Sequence, residues 1–293
     1  SIFGIMKTRF VFLILWVALV AACSGNGRRS AKTAAQTTPK PVELSVPVPP
    51  AMMDDPAERA AYVVENYWQN LTPQTDSIAV EQAFANWCAL SAYTDRKVAA
   101  KSLIAAYDKA PSRILEVAER YLYDPNSPYR DEDFFGELAA HIGTPEYRAL
   151  AGRCSLGAVG TRASDFVYED SRGRRHRLYE TKVPLTILFF SNPGCNACKE
   201  IIDQLSQLGE AVDRGAIAIV NIYIDEDLEA WREYLPHYPG NWQTGFDPLF
   251  VLRDGDLYNI RAIPSVYLLG ADKTVILKDA PTERLLSYLE NTL

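Results

Sequence analysis

Cys195 and Cys198 stand three positions apart in the stretch "FFSNPGCNACKEIIDQL", between a bulky apolar run and a helical pattern. Such a pair can be a redox couple, half of a zinc site, or a buried pair without chemistry. A helix opening at Cys195 would point free backbone N–H groups, and a partial positive charge, toward the first sulfur. That field favours thiolate, and cysteines in such motifs commonly titrate below their free value of about 8.5, near 7 or lower. Each unit of lowering is ~1.4 kcal/mol, about tenfold in thiolate while the thiol predominates. The spacing puts Cys198 one helical turn on, beside Cys195 and more buried. Cys195 would then attack a disulfide and Cys198 would resolve the mixed disulfide. A structural zinc needs four ligands and this motif supplies two. The other candidates, Cys88, Cys154, His141, His176 and His237, form no second pair at ligand spacing. Copper delivery would require a wider cysteine spacing and a well-placed histidine. No metal is expected.

The elements around the pair follow from hydrophobic periodicity. "VPLTILFF" reads as a buried strand, and Cys198, Ile201, Ile202, Leu205 and Leu208 lie on one helical face. "AIAIVNIYI" is a second buried strand and "DEDLEAWREYL" a helix capped by its own acids. "SVYLLG" and "TVILKD" pair as strands, and "PTERLLSYLENTL" closes the chain as a helix. Upstream, "ASDFVYEDSRGRRHRLYE" is a β-hairpin turning at Ser171 to Arg174, its basic tip read as solvated. Strands alternating with helices predict a sheet with helices on both faces.

The strand "TILFF", the corner "GCNAC", the helix after it and the later "YNIRAIPSVYLL" resemble the thioredoxin superfamily. The resemblance covers about residues 157–293, and the added hairpin is similar to its membrane-tethered, TlpA-like branch. It implies an α/β thioredoxin-like domain: a central mixed sheet, helices on both faces and an extra N-terminal hairpin. It also implies a cis Ile263–Pro264 bond, with Pro264 packed beside the cysteines. Ile263 would offer its backbone to a substrate peptide, with Pro193 and Gly194 beside it. The only cofactor implied is the Cys195–Cys198 disulfide itself. The partners implied are protein or peptide thiols and disulfides, with an envelope electron donor or acceptor. This chain departs from the family in three places. Pro193 and Gly194 replace the usual Trp before the first cysteine. Phe189 stands where thioredoxin proper keeps a buried acid. Ile201 stands where tethered relatives often carry Glu, with Glu200 one residue off. Asn196 and Ala197 add no charge between the cysteines, which favours a reductase or isomerase over a strong oxidase.

The rest of the 293 residues sets the surroundings. Lys7 and Arg9 precede an unbroken apolar run of 13 residues, Phe10 to Ala22, and then Cys23. The run is short for a membrane span of about 20 residues and fits the core of a signal peptide. Ala21 and Ala22 before Cys23 resemble a bacterial lipoprotein cleavage box. Residues 1–22 are therefore read as a signal peptide and Cys23 as the lipidated residue. The protein would face the periplasm of a cell envelope, where disulfides persist. Ser24 in place of Asp favours the outer over the inner membrane. Residues 23–52 are polar and then Pro-rich, a tether. Residues 53–155 show helical periodicity with breaks at "TPQTD", "YTD", "APS" and "YDPNSP" and no catalytic cluster. They form an all-α domain of unknown role before the thioredoxin-like domain at 156–293. Cys88 is expected in a helical core and Cys154 at the junction. The net charge of −7 and pI near 5.2 argue against a nucleic-acid binder. The rival reading is a non-catalytic binding or scaffold lipoprotein that keeps the fold for docking.

Overall fold

The computed structural model describes residues 44–253 and 257–293. The signal-peptide and lipidation readings of residues 1–22 and Cys23 lie outside those residues. Of the tether, residues 44–52 carry no helix or strand. Leu44 packs on the helical core and Pro47 is buried, because both find apolar surface there.

Among the described residues six α-helices come first: α1 Pro56–Asn66, α2 Ser77–Ser91, α3 Arg96–Lys109, α4 Pro111–Ala118, α5 Glu132–Ile142 and α6 Pro145–Cys154. Asp55, Asp76, Asp95 and Asp131 start four of them, each accepting a first-turn N–H. The periodic apolar faces meet in one core in which Phe84, Trp87, Ile114 and Phe135 are fully buried. Between α4 and α5 the chain widens into a π-turn, Glu119–Tyr123, closed by Asp124 N–H donating to the Glu119 carbonyl at 2.8 Å.

Seven strands follow: β1 Val167–Glu169, β2 Arg175–Arg177, β3 Leu185–Phe190, β4 Ile217–Tyr223, β5 Gln243–Phe246, β6 Ser265–Leu269 and β7 Val275–Lys278. They form one mixed sheet in the order β2-β1-β5-β4-β3-β6-β7, with β3, β4 and β5 parallel. The hairpin β1–β2 forms where the turn residues predict it and sits at one edge. It joins the sheet through β5, a strand the sequence did not announce, because "QTGF" is short and half polar. Gly245 is what permits that junction. A Cβ there would lie 2.5 Å from Tyr168 Cδ2 and 2.8 Å from the Glu169 carbonyl oxygen.

Helices α7 Asn196–Leu205, α8 Gly209–Asp213, α9 Leu228–Tyr234 and α10 Thr282–Glu290 alternate with and follow these strands. Ile202, Leu205, Ala211, Leu285 and Leu289, from α7, α8 and α10, fill the core on one face with Ile187, Phe189 and Ile219. The other face is covered chiefly by chain between the regular elements. There Ala163, Phe166, Leu252 and Tyr258, all outside helices, close over Leu188, Phe190, Val220 and Tyr267. The physical reason is local. Buried Asp247 accepts the Leu249 and Leu252 N–H groups at 3.2 and 2.7 Å, which winds this stretch into turns.

Candidate active site

Strand β3 delivers the chain to a tight corner before α7. Gly194 takes φ +74°, the left-handed region that only glycine enters without a Cβ penalty, and so turns the chain into the helix. Cys195 is the N-cap of α7: its sulfur accepts the Cys198 backbone N–H at 3.1 Å. Cys195 and Cys198 are joined by a disulfide with their Cα atoms 5.2 Å apart. Cys195 is half-buried, whereas Cys198 is sealed against Phe189, Ile202 and Leu205 in the core. The spacing of three thus produces two unlike sulfurs, one reachable and one protected.

Facing them, the Ile263–Pro264 peptide is cis. Ile263 and Cys195 both pack on the core that contains Cys198. Ile263, Pro264, Ala197 and Ile201 line one groove, so the structure brings the two predicted segments together. Pro193 is half-buried and Gly194 exposed; neither lines the groove. Among the described residues no group of three His, Cys, Asp or Glu side chains is arranged to hold a metal.

Two polar arrangements near the corner were not foreseen. Asn192 donates to the Asp225 carboxylate, tying the segment before the cysteines to the loop after β4. Asn221, opposite Phe189 in the β3–β4 register, is fully buried. Its amide donates to Ser191 Oγ at 2.7 Å, and Ser191 shares a 3.0 Å hydrogen bond with Tyr238. Burial pushes the Tyr238 hydroxyl up to about 12. A buried polar cluster therefore lies beside the position where an acid was sought, and it holds an amide and hydroxyls instead. The sequence signal was Asn221 breaking the apolar run "AIAIVNIYI". His176 and His237 serve structure: the first bonds Asp170 at 3.1 Å and the second stacks on Tyr234.

The hairpin tip is neutralised locally. Arg174, Arg175 and Arg177 face Asp170, Glu169 and Asp165 at 2.7, 3.5 and 2.8 Å. Hydrogen bonds from Arg174, His176 and Arg172 outweigh desolvation and hold the Asp170 carboxyl well below the usual range.

Fold and corner together define a thioredoxin-like protein, and the chain belongs to that family. Residues 184–275 match the thioredoxin-like family, and residues 22–147 match a domain of unknown function, DUF5106. A crystal structure of a thioredoxin-like protein from Bacteroides caccae shares 30% identity with a TM-score of 0.75. It matches over 85% of this chain and 99% of its own. Among curated proteins, the thiol-disulfide oxidoreductase ResA of Bacillus subtilis is 24% identical over 140 residues, 47% of this chain and 76% of the relative. The ResA of Geobacillus kaustophilus is 22% identical over 160 residues, 53% of this chain and 89% of the relative.

Proposed function

We propose that the protein is an extracytoplasmic thiol–disulfide oxidoreductase working through Cys195 and Cys198. The observation that carries this reading is the half-buried Cys195 sulfur accepting an N–H at the start of α7, with its partner sulfur sealed beneath. The similarity to the thiol-disulfide oxidoreductases ResA, and the family to which the chain belongs, support it.

In the reduced protein the amide field of the helix start favours the Cys195 thiolate. That thiolate attacks one sulfur of a substrate disulfide. A Cys195–substrate bond forms, and the second substrate sulfur leaves as a thiolate that takes up a proton. Cys198 then loses its proton and attacks the Cys195 sulfur. The substrate's first sulfur leaves and is protonated, and the Cys195–Cys198 disulfide closes. Two electrons pass from the protein dithiol to the substrate, and a separate envelope thiol donor restores the dithiol. Pro264 and the Ile263 backbone hold the substrate segment, as the family resemblance implies. Without a charged residue between the cysteines, the couple acts as a reductase or isomerase rather than a strong oxidase.

The apolar run before Cys23 supports a lipid-anchored, periplasm-facing location, with Ser24 favouring the outer membrane. Among the described residues no helix is long and apolar enough to cross a membrane. The helices of residues 53–155 build their own apolar core ahead of the thioredoxin-like domain. The test is a trapping assay with Cys198→Ala and a protein disulfide such as insulin. The variant should accumulate a covalent adduct through Cys195 that reductant releases. No adduct and no insulin reduction by the wild type would leave a docking scaffold instead.

A further inference from the structure

The groove beside the cysteines has a second wall, and it comes from the helical region. Ala197, Glu200 and Ile201 of α7 line it together with Ile263 and Pro264. The loop Pro125–Pro128 between the π-turn and α5 lines the same groove. The groove holds about 580 Å³, within the range of ordinary ligand sites, roughly 300–1,000 Å³.

This wall is rigidly built. Asn126 N–H donates to Asp124 Oδ1 at 2.8 Å, and Ser127 Oγ donates to the Tyr121 carbonyl at 2.6 Å. Arg130 donates to the Pro125 carbonyl at 3.1 Å and pairs with Asp279 at 2.9 Å, both acid and base nearly buried. Asp279 in turn accepts the Val266 N–H at 3.0 Å, two residues beyond Pro264. The loop ahead of Pro264 is pinned to the same region. Asn259 donates to Glu132 at 2.6 Å, and Arg261 donates to the Tyr123 carbonyl with its guanidinium 3.4 Å from the Tyr123 ring centre. Glu132 is 4% exposed and also meets buried Lys278 at 3.2 Å. The rare π-turn that launches the wall is of a kind that often marks functional sites.

Taking the oxidoreductase reading as given, we propose that the helical region supplies half of the substrate site. The Pro125–Pro128 loop is a specificity wall, and the occupant is an extended, cystine-bearing segment of a partner protein. Three observations select that occupant. The groove runs past the helix that carries the reactive pair. Its walls are fixed before binding, which lowers the ordering cost for a chain laid between them. Its rim presents Glu200 and Glu283, both exposed and without an ion-pair partner among the described residues, which suits basic side chains flanking the cystine. A small disulfide would not need that wall to react at Cys195.

Asn126 is exposed, so Asn126→Trp narrows the groove without disturbing a buried contact. The test uses the reduced full chain and two oxidants, insulin and bis(2-hydroxyethyl) disulfide, and reads the ratio of their second-order rate constants. In Asn126→Trp this ratio should fall about tenfold, ~1.4 kcal/mol in relative barrier. Arg130→Met, which loosens the same wall, should lower the ratio as well. An unchanged ratio in Asn126→Trp, or equal slowing with both oxidants, overturns the wall assignment alone. Failure of the wild type to react with either oxidant overturns the oxidoreductase reading, and this inference with it.

Discussion

The two halves of the chain hold cysteines under opposite conditions. Cys88 and Cys154 are unbonded thiols 8% and 1% exposed, set among apolar side chains of the helical core. Burial, reinforced by Glu132, pushes Cys154 up to about 11. Burial and then Asp131 raise Cys88 further. Cys195, by contrast, sits at a helix start, half-open, with a backbone N–H aimed at its sulfur. The side chain is the same in each place. Whether it is a nucleophile or a small apolar filler depends on where the backbone amides point and on how much water reaches it.

The largest expected difference between the two pairs is chemical. In the reduced protein at pH 8, Cys154 at about 11 would be thiolate in about one molecule in a thousand. Brief alkylation should therefore label Cys195 first and leave Cys88 and Cys154 untouched until the protein is unfolded, as peptide mass mapping can show. Rapid native labelling of either core cysteine would break the contrast. The same burial gives a pH dependence. Above its ordinary value of about 8.5, the unfolded chain releases the Cys154 proton while the folded chain keeps it, so this linkage lowers stability from there toward pH 11. Below about 8.5 it contributes nothing.

Next in size is the seal between the halves. Glu132→Ala removes the nearer of the two carboxylates beside buried Lys278, at 3.2 Å against 3.9 Å for Asp133, and losing one partner of a buried pair costs up to about 3–5 kcal/mol. Denaturant unfolding should show that loss, and native alkylation of Cys154 should rise because Glu132 lies beside it. Stability within 1 kcal/mol of wild type would mean the contact is peripheral. Smaller still is the effect of crowding Cys154 from within its core. In Gly136→Ala the new Cβ would fall 2.7 Å from the Cys154 Cβ, and such overpacking costs about 1–3 kcal/mol. Its midpoint in urea should drop while the reactivity of Cys195 stays as it was.

Much of this arrangement was readable before any coordinates. The apolar runs that became β3 and β4, the helical face of Cys198, Ile202 and Leu205, and the capping acids are all local patterns, and local patterns set local structure. The unlike exposure of Cys195 and Cys198 also follows from one helical turn of spacing. What periodicity could not carry was any meeting of distant segments. Asn259 and Glu132 are 127 positions apart, and nothing in "YDPNSP" or "YNIRAIP" marks them as neighbours. The loop was read only as a helix break, although it forms a wall of the groove. Strand β5 escaped for a related reason: its place depends on Gly245 letting Tyr168 and Glu169 approach, a cross-strand fact. How the second face of the sheet is covered was not readable, because a buried Asp247, not an apolar stripe, organises part of the chain that covers it.

The central claim is that Cys195 and Cys198 form a working couple rather than a fixed bridge. It is tested most directly by titrating the full chain in thiol–disulfide buffers of graded potential and counting alkylated cysteines by intact mass. A working reductase or isomerase couple should gain two alkylatable thiols reversibly at a midpoint between about −180 and −270 mV, the span of known exchange proteins. A bridge still closed below about −300 mV, as structural disulfides are, would contradict it.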